Sequence, residues 1–307
     1  MKLIKLGFFV VVALSLTAAC SRNTKQNRGN ESAGTEEKTQ GGHKVLQNKG
    51  SDTLVNVAQA WAEAYKNVNP KVAIAVTGGG SGTGISALIN GTVDIANASR
   101  AMKDKEIATA KGKGIVPKEH VVGYDALAVY LHQDNPNTKL SLEQLAGVYG
   151  EGGTIEKWSQ LGQKVPGCDS DEIIRVSRQN NSGTYAYFKK TVLGKGKEYK
   201  LGSRDMHGSK DVVDLVAKTP CAIGYSGLAY ATKEVVMPCI VKDDQCVAPS
   251  VATAVDRTYP IARPLYMYTN GEPKGAIKEY LDWIMSDPGQ CIISNKGYAP
   301  ARTVKCN

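Results

Sequence analysis

The chain has 307 residues, with 38 Lys and Arg against 29 Asp and Glu and a formal net charge of +9. That basic excess is dispersed, and no basic run is interleaved with aromatic residues, so nucleic acid is not an expected partner; mild steering of anions is its expected consequence. The length and the 42% hydrophobic content allow two domains of modest size.

Residues 1–20 read as a targeting segment. Lys2 and Lys5 make a positive start, and Leu6 to Leu16 is apolar but too short to stay in a bilayer as a spanning helix. Its end, Leu16-Thr17-Ala18-Ala19-Cys20, is similar to a bacterial lipoprotein box and predicts lipidation of Cys20, although Thr17 stands where leucine is usual. Residues 21–43 are polar, with Ala33 the one apolar side chain, and cannot bury enough area to offset chain entropy. They read as a flexible tether to a body beginning at about Lys44.

Within the body, apolar runs and helical spacings alternate. Strands are expected at Val45–Asn48, Val72–Val76, Val93–Asn97, Val121–His132, Ile173–Arg178, Ile223–Ser226 and Leu265–Thr269. Helices are expected after Thr53, Gly84, Lys103, Ser141, Gly183, Ser209 and Pro273. Such alternation predicts an α/β fold with a mostly parallel sheet. Val121 to Leu131 is long for one strand, and Tyr259 to Thr269 is a second long extended run carrying Pro260 and Pro264. Two such runs, far apart in sequence, suit the two crossings between a pair of domains; the prolines argue against an ordinary core strand for the second.

The chemistry concentrates in glycine- and hydroxyl-rich turns. Thr77-Gly78-Gly79-Gly80-Ser81-Gly82-Thr83-Gly84 lies between a strand and a helix pattern whose Ile85, Leu88 and Ile89 share one face. Unpaired backbone N–H groups and a positive dipole end meet there, while Ser81 and Thr83 add hydroxyls, which suits an oxyanion. The turn lacks the lysine of a P-loop, and Thr83 stands where the dinucleotide fingerprint needs its last glycine. Three further segments repeat the donors: Gly50-Ser51-Asp52-Thr53-Leu54, Asn97-Ala98-Ser99-Arg100, and Arg178 to Thr184 with its Asn181-Ser182-Gly183-Thr184.

A secreted hydrolase is the competing class. The Gly-x-Ser-x-Gly elbow fails at its last place in both Gly79–Thr83 and Gly224–Leu228, and His43, His120, His132 and His207 are too scattered to supply an evident base or metal cluster. No enzyme activity, metal or cofactor is expected. Apart from Cys20 there are six cysteines, an even number in an exported chain, which suggests three disulfides. Sequence does not determine their connectivity; the local pairs Cys239–Cys246 and Cys291–Cys306 are favoured, leaving Cys168 with Cys221.

From about Val45 to Pro300 the chain resembles the periplasmic phosphate-binding proteins, the substrate-binding component of the bacterial phosphate ABC importer. The marks are Gly-Ser-Asp-Thr at 50–53, Gly-Gly-Gly-Ser-Gly-Thr-Gly at 78–84, and Gly-Thr-Val-Asp-Ile-Ala-Asn-Ala-Ser-Arg at 91–100. They continue with Tyr149-Gly150 followed by Trp158, Arg178 with Asn181–Thr184, Ala222–Tyr225, and Tyr259–Leu265. Their order and coverage are specific. The resemblance implies a type II periplasmic-binding-protein fold: two α/β lobes joined by two hinge strands, with the ligand in the cleft between them. It implies a first lobe of residues 44–126 and 263–307 around a second lobe of 127–262. It also implies a monomeric receptor in the periplasm or on the outer face of the cell membrane, lipid-anchored, passing inorganic phosphate to a membrane permease. Sulfate, molybdate or tungstate is the alternative ligand.

Carried over by residue, Thr53 and the Leu54 N–H match ligands at the first helix start, and Ser81 matches the glycine-loop hydroxyl. Arg178, Ser182, Gly183 and Thr184 match the second-lobe clamp, with Arg178 as charge partner. Longer members hold an aspartate where this chain has Arg100; shorter members have Ser-Arg, which implies anion contacts from Ser99 and Arg100. An acidic acceptor for the phosphate proton is then expected elsewhere, at Asp125 in the hinge strand, with Asp52 next and a structural salt bridge as the competing role.

Overall fold

The computed structural model describes residues 39–40 and 43–306. The expected leader, Cys20 and nearly all of the tether lie outside the described residues. The first strands are β1 (Thr39–Gln40), β2 (His43–Gly50), β3 (Val72–Thr77), β4 (Ile95–Ala98), β5 (Pro117–His132), β6 (Lys139–Ser141) and β7 (Ile174–Arg178). They are followed by β8 (Arg204–Met206), β9 (Ala222–Gly227), β10 (Val235–Val236), β11 (Cys239–Lys242), β12 (Gln245–Val247), β13 (Ala262–Asn270) and β14 (Ala299–Pro300). The helices are α1 (Val55–Val68), α2 (Ser81–Ile89), α3 (Asp104–Gly112), α4 (Leu142–Tyr149) and α5 (Gly183–Phe188). The last four are α6 (Ser209–Ala217), α7 (Val251–Val255), α8 (Gly275–Met285) and α9 (Asp287–Asn295). None is long and apolar enough to cross a membrane.

One path of strands runs β1-β2-β4-β13-β5-β9-β7-β8, with β3 on β2 and with β10 and β14 on β5. β2 pairs parallel with β3 and β4, and β7 pairs parallel with β8 and β9. Between those groups β13 and β5 are antiparallel to each other, and β13 to β4 and β5 to β9 likewise. The sheet is therefore mixed, and the expectation of a mostly parallel one is corrected. Apolar spacing reports which face a strand buries but not its direction, and the two long strands reverse direction at the centre. The expected tether also ends earlier than residue 43: Thr39 and Gln40 pair with Lys44 and His43, a contact between backbones that needs no apolar side chain.

The central strand changes partner along its length. Residues 117–126 of β5 face β13, and Leu127–Leu131 face β9. Leu265 and Tyr266 face Gly123 and Val121, so Val122 is the extra residue of a bulge that bends β5 beside this handover. Pro264 is tolerated because β4 pairs β13 only at Tyr266–Tyr268, so the position opposite its missing N–H carries no strand on that side.

Helices cover both faces of each half. Leu54, Val57 and Trp61 of the first helical region pack with Tyr280 and Ile284 of α8 and Ile293 of α9 against Leu46, Ile95 and Leu265. Ile85, Leu88 and Ala110 cover the opposite face with Tyr266 and Tyr268. In the other half, Leu145, Tyr149, Trp158 and Phe188 pack against Leu127, Ile223 and Tyr225, while Val212, Val213 and Val216 of α6 cover Ala128, Tyr130 and Val176. Each fully buried aliphatic side chain contributes ~1.5–3 kcal/mol, so these helices fix the strand ends from which the loops project. Disulfides join Cys168 to Cys221, Cys239 to Cys246 and Cys291 to Cys306, with Cα separations of 5.0, 5.4 and 5.5 Å. The first closes a loop 53 residues apart in sequence, beside the indole N–H of Trp158, which donates to the Cys221 carbonyl at 3.0 Å.

Candidate functional site

The four hydroxyl-rich segments meet where β2, β3, β4 and β7 end. Gly50 has a φ of 145°, and a side chain there would collide with the Asn97 carbonyl, so β2 and β4 deliver their loops side by side. Ser51 does not cap α1; its hydroxyl donates to Ser99 Oγ at 3.0 Å. Ser81 Oγ accepts from the Ser99 N–H at 3.0 Å. Ser51, Thr53, Ser81 and Ser99 are all buried.

The second half brings in the start of α5. Ser182 caps that helix, its oxygen accepting from the Thr184 N–H at 3.1 Å and the Tyr185 N–H at 3.4 Å. Its hydroxyl hydrogen is left to donate elsewhere. A Cβ on Gly183 would lie 2.2 Å from Ser81 Oγ and 2.5 Å from Ser99 Oγ, so only glycine lets the two halves come this close. Thr53 Oγ1 and Thr184 Oγ1 are 3.1 Å apart. Nearby, the Gly82 N–H donates to the Asn181 carbonyl at 2.9 Å, and Asn181 Nδ2 donates to the Gly79 carbonyl at 3.0 Å.

Two buried arginines frame this cluster. Arg263 Nη2 donates to Thr53 Oγ1 at 3.3 Å, to Thr184 Oγ1 at 3.0 Å and to Asp125 Oδ2 at 2.8 Å; Nη1 reaches the Ser99 carbonyl at 3.3 Å. The Arg263 and Asp125 side chains are both 0% exposed. Arg178 Nη2 donates to Asp52 Oδ2 at 2.9 Å and to the His207 carbonyl at 2.7 Å, and Nη1 to Ser209 Oγ at 2.9 Å. Asp52 Oδ1 in turn accepts from the Gly79 N–H at 2.8 Å, tying the ion pair to the glycine turn.

Burial pushes the Asp125 carboxyl above its usual range, and the pull of Arg263 offsets only part of that. Burial likewise lowers the Arg178 guanidinium, against the attraction of Asp52. Tyr230, pushed up to about 12 by burial, stays a neutral donor and holds the Asp52 carbonyl at 2.6 Å. Tyr298 holds the Thr53 carbonyl in the same way.

Of the residues singled out from sequence, Thr53, Ser81, Ser99, Gly183 and Thr184 converge directly, with Ser182 beside them. Asp125 joins through Arg263, in the salt bridge that competed with the acceptor role. Arg178 joins through Asp52. Two have protein partners of their own. The Leu54 N–H donates to the Ser51 carbonyl at 3.0 Å, closing the turn into α1. Arg100 is held by a two-pronged pair with Glu106, at 2.8 and 2.7 Å, and lies beside the cluster; the carboxylate in the first turn of α3 attracts it. Arg263 was missed, although it sits in the quoted Tyr259–Leu265 stretch. Its signal was a charged residue between prolines in an otherwise apolar run. Among the described residues, no group of three or more His, Cys, Asp and Glu could hold a metal ion.

A two-lobed body with a donor-lined contact between its halves defines a class, the periplasmic-type solute-binding proteins. A profile described as the PBP superfamily domain matches residues 30–288. The phosphate-binding protein PstS of Pseudomonas aeruginosa is 34% identical over 83% of this chain and 82% of its own length. PstS of Bacillus subtilis is 32% identical over 99% of this chain and 97% of its own. A crystal structure from Clostridium perfringens, described as a phosphate ABC transporter substrate-binding protein with bound phosphate, is 29% identical. It has a TM-score of 0.75 and covers 84% of this chain and 100% of its own. The chain belongs to the phosphate-binding proteins of the PBP superfamily and has their two-lobed fold.

Proposed function

We propose that the protein is an extracytoplasmic receptor that binds inorganic phosphate between its lobes and delivers it to an ABC importer. It is a receptor and not an enzyme, as are the relatives it matches. The observation that carries the reading is the convergence of hydroxyls from both halves on Arg263, with Arg178 at the opposite margin. A desolvated oxyanion is stabilised by many fixed dipoles and one or two guanidiniums. The ligand set is Thr53, Leu54, Ser81, Ser99, Arg100, Arg178, Ser182, Gly183 and Thr184, with Asp125 as acceptor and Arg263 added to it. Lobe limits at residues 126 and 262 coincide with the partner change of β5 and the start of β13. A monomer tethered through a lipid on Cys20, in the periplasm or on the outer face of the membrane, completes the reading. A titration of the protein against phosphate, sulfate and molybdate tests it. Saturable binding of phosphate alone is expected; equal or tighter binding of another oxyanion would change the ligand, and no binding would remove the function.

Selectivity is assigned to Asp125. Phosphate keeps a proton near neutral pH and can donate to a carboxylate, whereas fully ionised sulfate meets repulsion; such an acceptor can discriminate by ~10⁴-fold or more. Asp125→Asn is expected to narrow the phosphate-to-sulfate affinity ratio. An unchanged ratio would move the role to Asp52.

A further inference from the structure

Two cavities open beside the donor cluster, and their charges differ. One, of about 410 Å³, is lined by Asp52, Gly79, His207, Lys210 and Tyr230. Its charges are matched: Asp52 pairs with Arg178, and Lys210 with Asp214. The other, of about 630 Å³, is lined by Arg100, Lys103, Asp104, Tyr187, Lys190 and Arg263. There Arg100 pairs with Glu106 and Arg263 with Asp125. Lys103 and Lys190 make no ion pair among the described residues, although Lys103 helps hold the Glu106 carboxyl down. Asp104 is the one acidic lining residue, so the cavity keeps a positive balance.

These two exposed lysines line the cavity from different segments. Lys103 ends the segment that leaves β4 and precedes α3, four residues after Ser99. Lys190 lies in a π-helical turn, Lys189–Leu193, that continues α5; its wider turn is closed by the Gly194 N–H donating to the Lys189 carbonyl at 3.1 Å. Such turns recur at functional sites because they re-aim side chains. Lys189 is paired with Glu198, which leaves its neighbour as the uncompensated charge. The inner wall is Arg263, the same side chain that donates to Thr53 and Thr184.

We propose that the larger cavity is the entry port for inorganic phosphate, with Lys103 and Lys190 guiding the anion from the two lobes toward Arg263. The proposal rests on the phosphate-receptor reading. A cleft carrying one sign of charge raises the local anion concentration and the association rate, by ~10- to ~10³-fold in strong cases. Charges at such a rim act on association far more than on dissociation.

Stopped-flow fluorescence on the full protein at low ionic strength tests the port. Lys103→Glu with Lys190→Glu is expected to slow phosphate association about tenfold or more and leave dissociation within about twofold. Asp104→Asn is expected to speed association, and Lys210→Glu in the smaller cavity to leave it unchanged. Added salt should shrink these differences, because exposed charges are screened. Association at the wild-type rate in the double variant, or equal slowing by Lys210→Glu, would overturn the port while phosphate binding by wild type keeps the receptor reading intact. A wild-type protein that binds no phosphate at equilibrium would overturn both.

Discussion

Arg263–Asp125 and Arg178–Asp52 are both buried arginine–aspartate pairs at the edge of one hydroxyl cluster, yet they span different things. Arg263 and Asp125 face each other across β13 and β5, so ordinary strand pairing holds them together, and both side chains are fully enclosed. Arg178 and Asp52 come from β7 and from the loop after β2, with side-chain exposures of 1% and 11%. No shared ladder keeps them together. If the lobes move, the first pair should persist because one strand ladder carries both residues, and the second should open because its segments share no ladder. One pair can therefore fix donor geometry while the other reports closure.

The largest effect is expected from breaking the hinge pair. Arg263→Ala leaves Asp125 buried without its partner and should cost ~3–5 kcal/mol of stability, read from urea unfolding. Replacing both, as Arg263→Met with Asp125→Leu, should recover most of that stability but not phosphate binding; recovery of binding as well would show that the pair is scaffold only. Arg178→Ala should be felt in affinity, weakening phosphate by ~2–4 kcal/mol in calorimetry, and Arg178→Lys should also weaken it because a point charge replaces a fork. Affinity within about threefold of wild type, under ~1 kcal/mol, would remove Arg178 from the ligand set.

Asp52→Asn keeps the shape of the closure pair and removes its charge. A loss of ~1–2 kcal/mol in phosphate affinity is expected if the pair holds the lobes together, whereas a gain would mean that Asp52 mainly repels the anion. The smallest effect concerns pH. Burial raises the folded-state value of Asp125, so its stabilisation is complete below the ordinary carboxylate range and is lost as pH rises through the raised value. Wild type should thus lose stability relative to Asp125→Asn as pH rises out of the ordinary carboxylate range, and urea midpoints measured along that rise decide it. A relative gain would show that the attraction of Arg263 exceeds the cost of burial.

Much of this arrangement could be read before any coordinates. Hydroxyl and glycine turns after apolar runs mark where strands end, and long extended stretches mark β5 and β13, because both signals are local. Partnership across the chain is not local. Arg263 and Asp125 lie 138 residues apart, and Arg178 and Asp52 lie 126 apart. Arg100 shows the same limit at short range: its motif suggested an anion ligand but gave no sign of Glu106, six residues on, which pairs with it. Short elements were also hidden. α9 is a nine-residue helix with proline in its first turn, and β11 and β12 are short strands joined by a disulfide. Strand direction, which makes the sheet mixed, is set by where connections cross and leaves no periodic trace.

Gly183 carries a consequence for the shape of the filled receptor. The spacing of the lobes at that point is the thickness of a bare peptide, since even a methyl group would press on the oxygens of Ser81 and Ser99. The residue acts as a gauge with no clearance: any heavier amino acid becomes a doorstop. Gly183→Ala should leave a receptor that can take up its anion yet stay ajar, with a larger radius of gyration than the wild type when both are saturated. To a permease that reads only the shut outline, such a receptor would count as empty however much phosphate surrounds it.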